Sequence, residues 1–436
     1  MVSFFERVKY LFTGNSEELQ QETNKQVQEA LRLQEEARRR REEEAARERK
    51  RRADEITSTI GGGPGSRPTV AEVKRILSAN PWFDLDNIES WENDRFPGGK
   101  QSSTALTTAA QFQNHEVAKF LLERGADPTI RDSFNRDAAA WAIENLDAEM
   151  LETILSDPRA NLDATNSRAP IQLEYLNLYT TPLTHVVMKA SRDPKWREED
   201  AQKILAVIDV IKKDGRFNLN GTDSMGRTAL HWAIERGHGD VAEALMEVQG
   251  CNLNIKDEYG LTPLNLALDE YEEDMAVKLI EAGASLEPDK WGITPLRRSV
   301  SCPKALEALI KAGADVNQES KDFGGEITCP LETAVSYNKV DSVRILLENG
   351  ADTSFLYEPR ANNRPSIIEE LRSDFLKYGQ ESKGQILALL DAHAQEQSNV
   401  HSGLAAALGQ GAENITHREE NRDVDVAQQY VSSGGR

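Results

Sequence analysis

The chain has 436 residues, enough for two or three ordinary domains or one extended repeat array. Its formal net charge is −21, with 29% of residues charged, which argues against non-specific nucleic-acid binding by the whole molecule and favours basic partners. A hydrophobic content of 39% is low for a single globule and suits a repeat stack with polar extensions.

Residues 1–15 place Phe4, Phe5, Val8, Leu11 and Phe12 on one helical face, opposite Glu6, Arg7 and Lys9. This reads as a short amphipathic helix. Residues 1–12 could touch a membrane surface or a partner, or pack on the protein itself. Residues 16–59 are nearly free of helix breakers. Glu35/Arg39, Glu36/Arg40, Glu43/Arg47 and Glu48/Arg52 are i,i+4 pairs, and the spacing predicts one long charged helix. Leu19, Val27, Leu31 and Leu33 allow weak self-association or a coiled coil through residues 19–37, but no a/d heptad continues beyond them. The basic runs 38–41 and 47–52 could serve nuclear import, although Glu42, Glu43, Glu44 and Glu48 interrupt them and favour a salt-bridged solvated face. Residues 60–68, rich in Gly, Pro and Ser, mark a linker and a domain boundary.

A repeating pattern then fills residues 69–393. Val70, Val73, Ile76 and Leu77 open it on an amphipathic helix. The plan is clearest at residues 226–257. Thr228 and Ala229 start a short helix with Leu230, Trp232, Ala233 and Ile234 on its apolar face. Gly237 and His238 turn the chain, and Val241, Ala244 and Leu245 mark a second helix. Thr228, Thr262 and Thr294 recur at spacings of 34 and 32 residues. Asp257–Gly260 and Asp289–Gly292 are equivalent Asp-x-x-Gly turns, and closures ending in Gly-Ala recur at residues 280–284, 310–314 and 347–351. Looser units lie at residues 133–165 and 181–222. One insertion covers roughly 157–179, and a second, SRDPKWREED, falls between two helices. Ile367, Ile368, Leu371 and Phe375, followed by ILALLDAHA, read as a closing pair of helices. Residues 394–436 read as a mostly disordered tail.

This pattern resembles the ankyrin repeat. The resemblance covers roughly residues 70–393 and is most specific at 226–317 and 322–352. It implies an all-α ankyrin-repeat solenoid of stacked helix–turn–helix units with short hairpin loops, preceded here by the long charged helix. It also implies that His231 hydrogen-bonds to the next loop instead of acting as a base, and that partners bind on hairpin tips and inner helices. The residue just before each hairpin Gly is Met225, Tyr259, Trp291 or Phe323. Aromatic side chains and Met are enriched in interface anchors, so these four form a candidate ladder of partner-binding residues. Each ring could equally pack on its neighbouring hairpin. A second candidate is the acidic turn Asp269, Glu270, Glu272, Glu273 and Asp274, which could attract a basic peptide or simply be solvated.

Catalytic signatures are missing from the sequence. It has no GxxxxGK[ST], GxSxG or HExxH, and Cys251, Cys302 and Cys329 are too far apart for a metal motif. The expectation is a non-enzymatic scaffold or adaptor for protein partners, without cofactor or metal; the alternatives are a peripheral membrane or organelle-surface tether anchored by residues 1–12, and a nuclear regulatory protein. No apolar run is long enough to span a membrane, and a cytoplasmic location, with a nuclear one as the alternative, is expected.

Overall fold

The computed structural model describes residues 16–61, 67–87, 89–92, 100–132, 135–160, 180–190, 194–217, 219–321, 327–358 and 365–399. The expected helix at 1–15, most of the first insertion, Phe323 and the tail beyond residue 399 lie outside the described residues. The chain divides into two compact units. One comprises Met1–Lys189 with Glu198–Gly221, and the other Ala190–Arg197 with Thr222–Arg436.

The first unit begins with α1 (Ser16–Gly61), α2 (Val70–Ala79) and the antiparallel pair β1 (Glu89–Glu92) and β2 (Lys100–Ser103). Helix pairs follow: α3 (Ala105–Gln111) with α4 (His115–Glu123), and α5 (Ala138–Glu144) with α6 (Ala148–Leu155). Then come α7 (Pro182–Lys189) and α8 (Pro194–Asp214). The second insertion is mostly helical, because its residues from Pro194 form the first turns of α8. In the second unit the pairs are α9 (Ala229–Arg236) with α10 (Gly239–Met246), and α11 (Pro263–Asp269) with α12 (Glu273–Glu281). Next, α13 (Pro295–Arg298), continued by a 3-10 turn, pairs with α14 (Pro303–Lys311). After the two-residue strands β3 (Ser320–Lys321) and β4 (Ile327–Thr328) come α15 (Pro330–Ser336) and α16 (Val340–Glu348). The unit closes with α17 (Ser354–Tyr357), α18 (Ile367–Tyr378) and a helix through residues 381–399. The fold class is the expected one, all-α stacks of helical pairs.

The helix starts follow from their cap chemistry. Thr104, Thr228, Thr262 and Thr294 each stand in extended backbone before a first helix. Each hydroxyl accepts a hydrogen bond from the amide three residues on. Cys329 takes the same place, its Sγ accepting from the Glu332 amide. Pro263, Pro295 and Pro330 follow their caps where a missing N–H costs nothing. One face of each helix is then buried against its neighbours, as at Leu264, Ala267, Leu279, Leu306, Leu331 and Leu346.

Successive units are also joined by hydrogen bonds at their closing loops. Asn254 Oδ1 accepts from the Ser285 amide, and Asn317 Oδ1 from the Asp352 amide, both at 2.8 Å. In the first unit arginines do this work. The Arg159 guanidinium donates to the carbonyls of Gly125 and Ala126, and that of Arg216 to those of Leu155, Pro158 and Ala160. These arginines saturate carbonyls at the helix ends and in the loops just after them.

The C-terminal end of α1 belongs to the core of the first unit. Ala53, Ile56, Thr57 and Ile60 are buried, and the helix packs on α2, α3 and β1. Asn87 Nδ2 donates to Thr57 Oγ1 at 3.1 Å. The helix end and α2 fall on either side of the boundary drawn from sequence, yet they pack together at the start of the stack. Ile60→Ala is expected to destabilise the first unit by about 2–5 kcal/mol. Leu33→Ala, at an exposed position of the same helix, should change stability by less than about 0.5 kcal/mol. Calorimetric unfolding of the two variants checks this.

Candidate functional site

Three hairpins of the second unit, at residues 223–227, 257–261 and 289–293, are each built around one buried aspartate. Oδ1 of Asp223, Asp257 and Asp289 accepts from the amides of Arg227, Leu261 and Ile293 at 2.8–2.9 Å. The backbone amide of each aspartate also donates to the carbonyl of the same residue. Gly226, Gly260 and Gly292 turn the chain at positive φ. Asp132 repeats the arrangement in the first unit, with Arg136 as its backbone partner and Asn135 at the positive-φ turn.

The second carboxylate oxygen meets a different group from one hairpin to the next. Asp132 Oδ2 accepts from Trp141 Nε1, and Asp223 Oδ2 from Trp232 Nε1, both at 2.8 Å. Arg136 stacks on Trp141 and pairs with Glu144 at 3.0 Å. Arg227 stacks on Trp232 and pairs with Glu235. The Asp, Arg, Trp and Glu of the two units have identical spacing, a signal that the sequence reading missed because it followed the Thr and Gly positions. Asp257 has no indole of its own, and Arg227 of the preceding hairpin lies 3.5 Å from its Oδ2. At Asp289 the position of the indole is filled by Arg298, which reaches Oδ2 directly.

The tips of these hairpins are tied to one another. The Glu258 amide donates to Met225 O at 2.8 Å. A side chain at Gly226 would press on the backbone of Asp257 and Glu258. Lys290 Nζ donates to Glu258 O at 2.5 Å. The Lys290 ammonium also lies 5.4 Å from the centre of the Tyr259 ring and 4.6 Å from that of Trp291. Its stem passes so close to Gly260 that a Cβ there would sit 2.8–2.9 Å from it. The structure thus brings Tyr259 and Trp291 together, 43% and 37% exposed, around one cation. Met225 is half-buried on the adjoining hairpin.

The acidic turn is placed differently. It lies at the far end of α11, about 10 Å from the Tyr259 hairpin. Both oxygens of Asp269 receive Arg298 Nη1, at 2.6 and 2.5 Å. Burial raises the Asp269 pKa, and Arg298 opposes that shift. Glu273 accepts from the Lys304 amide at 2.6 Å, and Asp274 pairs with Lys304 Nζ at 2.9 Å. Asp269, Glu273 and Asp274 are therefore paired inside the protein. Glu270 and Glu272 are exposed at the turn, on either side of Tyr271 at φ 60°. Among the described residues there is no group of three or more His, Cys, Asp or Glu that could hold a metal, and no helix long and apolar enough to cross a membrane.

His231 bridges two successive repeats in the way the repeat pattern implied. The Thr228 amide donates to Nδ1 at 3.2 Å, so Nε2 carries the proton and donates to Leu261 O at 3.3 Å. A family model described as "Ankyrin repeats (many copies)" matches residues 211–267, and one described as "Ankyrin repeat" matches residues 102–133. The chain carries ankyrin repeats. It is 30% identical to mouse (Mus musculus) "Neurogenic locus notch homolog protein 1" over 34% of this chain and 5% of that protein. It is 28% identical to "Protein glp-1" of Caenorhabditis elegans over 30% of this chain and 9% of that one. "Putative palmitoyltransferase ZDHHC13" of Danio rerio is 36% identical over 32% of this chain and 22% of its own length. The chain thus spans only a small part of each of these relatives. Ankyrin repeats are protein–protein interaction modules.

Burial lowers the pKa of His231 in this ankyrin array below its ordinary 6.5, against the pull of the Leu261 carbonyl. Protonating Nδ1 would set it against the Thr228 N–H. The native state therefore favours neutral His231. The stability this confers is full above pH 6.5 and is lost as pH falls below it. In urea unfolding at pH 7.5 and pH 5, wild type is expected to lose more stability on acidification than His231→Gln does.

Proposed function

We propose that this ankyrin protein is a non-enzymatic adaptor whose second unit binds a basic protein segment along the hairpin tips Met225, Tyr259 and Trp291. The observation that carries this reading is the pairing of two exposed rings from successive hairpins around Lys290. Anchors already held in place lose little conformational freedom on binding.

The charge of the partner follows from where the cations of this unit go. Arg227, Lys278, Arg298 and Lys304 are all committed to carboxylates of the unit itself. The excess acid of the sequence therefore faces outward, at Glu258, Glu270 and Glu272 among others. Such a surface steers basic segments toward it and repels acidic ones. Phe323 extends the same ladder in sequence and belongs to this proposal on spacing alone.

Affinity capture with the full chain tests the reading. Tyr259→Ala/Trp291→Ala, verified as folded by its melting curve, should recover its bound proteins at least about tenfold less well than wild type. Undiminished recovery by the folded variant removes the tips as the binding site.

A further inference from the structure

The long helix α1 offers a function separate from partner binding by the repeats. Its last turns and the stretch before them are in different environments. Ala53, Ile56, Thr57 and Ile60 are buried in the first unit, whereas residues 21–52 are exposed at every described side chain except Glu36 and Glu48. Those two are half-covered by their own ion-pair partners. Arg32 pairs with Glu36, Arg38 with Glu42, and Glu48 with both Arg51 and Arg52. Of the Glu-before-Arg pairs read from sequence, Glu48–Arg52 forms.

A solvated helix of this length needs a nucleus and a supply of local pairs. Starting a helix is unfavourable, but extending one adds a hydrogen bond for each residue fixed. The buried end supplies the start here. The exposed stretch then propagates from it through Glu, Arg, Gln, Lys and Ala, all good helix formers. The i,i+3 and i,i+4 ion pairs reinforce it without any neighbouring helix. The apolar residues Val27, Leu31 and Leu33 stop short of residues 38–52, where the only apolar side chains are Ala45 and Ala46. That composition gives a second helix no seam to pack along.

We infer that residues 21–52 of α1 act as a stiff, single-helix spacer. It is rooted in the first unit and holds whatever is joined to its N-terminal end at a fixed distance and direction. At about 1.5 Å per residue the exposed stretch is roughly 50 Å long. A flexible linker of the same composition would set only an average separation.

Pulsed electron–electron distance measurement on the full chain tests this. Spin-labelled non-natural residues at Glu29 and Lys119, both exposed, report on the first unit alone. Wild type is expected to give one narrow distance distribution and the mass of a monomer in light scattering. Glu42→Gly/Glu43→Pro, which breaks the helix far from its buried root, should broaden the distribution at least twofold and leave the melting temperature unchanged. A wild-type distribution as broad as the variant's would overturn the inference. So would a narrow distribution in both proteins, or a dimer that loses its partner when Val27 and Leu31 are replaced by Glu.

Discussion

A buried carboxylate in each of four hairpins is the constraint on which the rest of this structure depends. A charge taken out of water is costly unless it is paired and hydrogen-bonded. Asp132, Asp223, Asp257 and Asp289 are all nearly inaccessible. In each, one oxygen closes its own hairpin by accepting a backbone amide. The other oxygen meets a donor or a cation that comes from a helix or the preceding hairpin. An indole does this at Asp132 and Asp223 and a guanidinium at Asp289, whereas Asp257 Oδ2 faces Arg227 at 3.5 Å as an ion pair without a hydrogen bond. The hairpin, the first helix and the cation are thereby fixed together.

That coupling also explains how the charged residues are distributed. Arg298 holds Asp289 at the base of one hairpin and Asp269 at the end of α11. Part of what reads in sequence as an acidic docking turn is thus an internal tie between successive repeats. The tips gain from the same arrangement. With the hairpin bases locked, Lys290 can span from Glu258 to Trp291 and hold two rings in register. A surface of this kind is preorganised, and preorganisation is what lets a modest contact area bind well.

The period of the pattern was the legible part. Thr caps, Pro at the first helical turn and Gly at the hairpins are local requirements of the backbone, so they repeat in sequence wherever the unit repeats. The role of His231 was implied by the resemblance to the ankyrin repeat and not by the period, since Asn265 and Arg297 stand at the equivalent positions of the next repeats. The partners of the hairpin aspartates were harder to see, because they are set by three-dimensional proximity and differ from unit to unit. Trp232 reads as one more apolar face residue until its Nε1 is seen on Asp223. The end of α1 was obscured by the glycine run after it. Ile56 and Ile60 are a helical turn apart and carry the signal, but it is only one turn long. The place of Tyr259 and Trp291 on one edge followed from spacing, whereas the lysine between them did not.

Amide hydrogen exchange at the Trp291 hairpin tests the central claim most directly. In wild type the Trp291 and Ile293 amides are bound to Asp289 Oδ1 and should exchange slowly. The account predicts that Asp289→Ala speeds their exchange by about 10- to 100-fold, while amides in the middle of α14 keep their protection. Equal protection in the variant and the wild type would contradict it, since the hairpin would then be held by something other than its buried carboxylate.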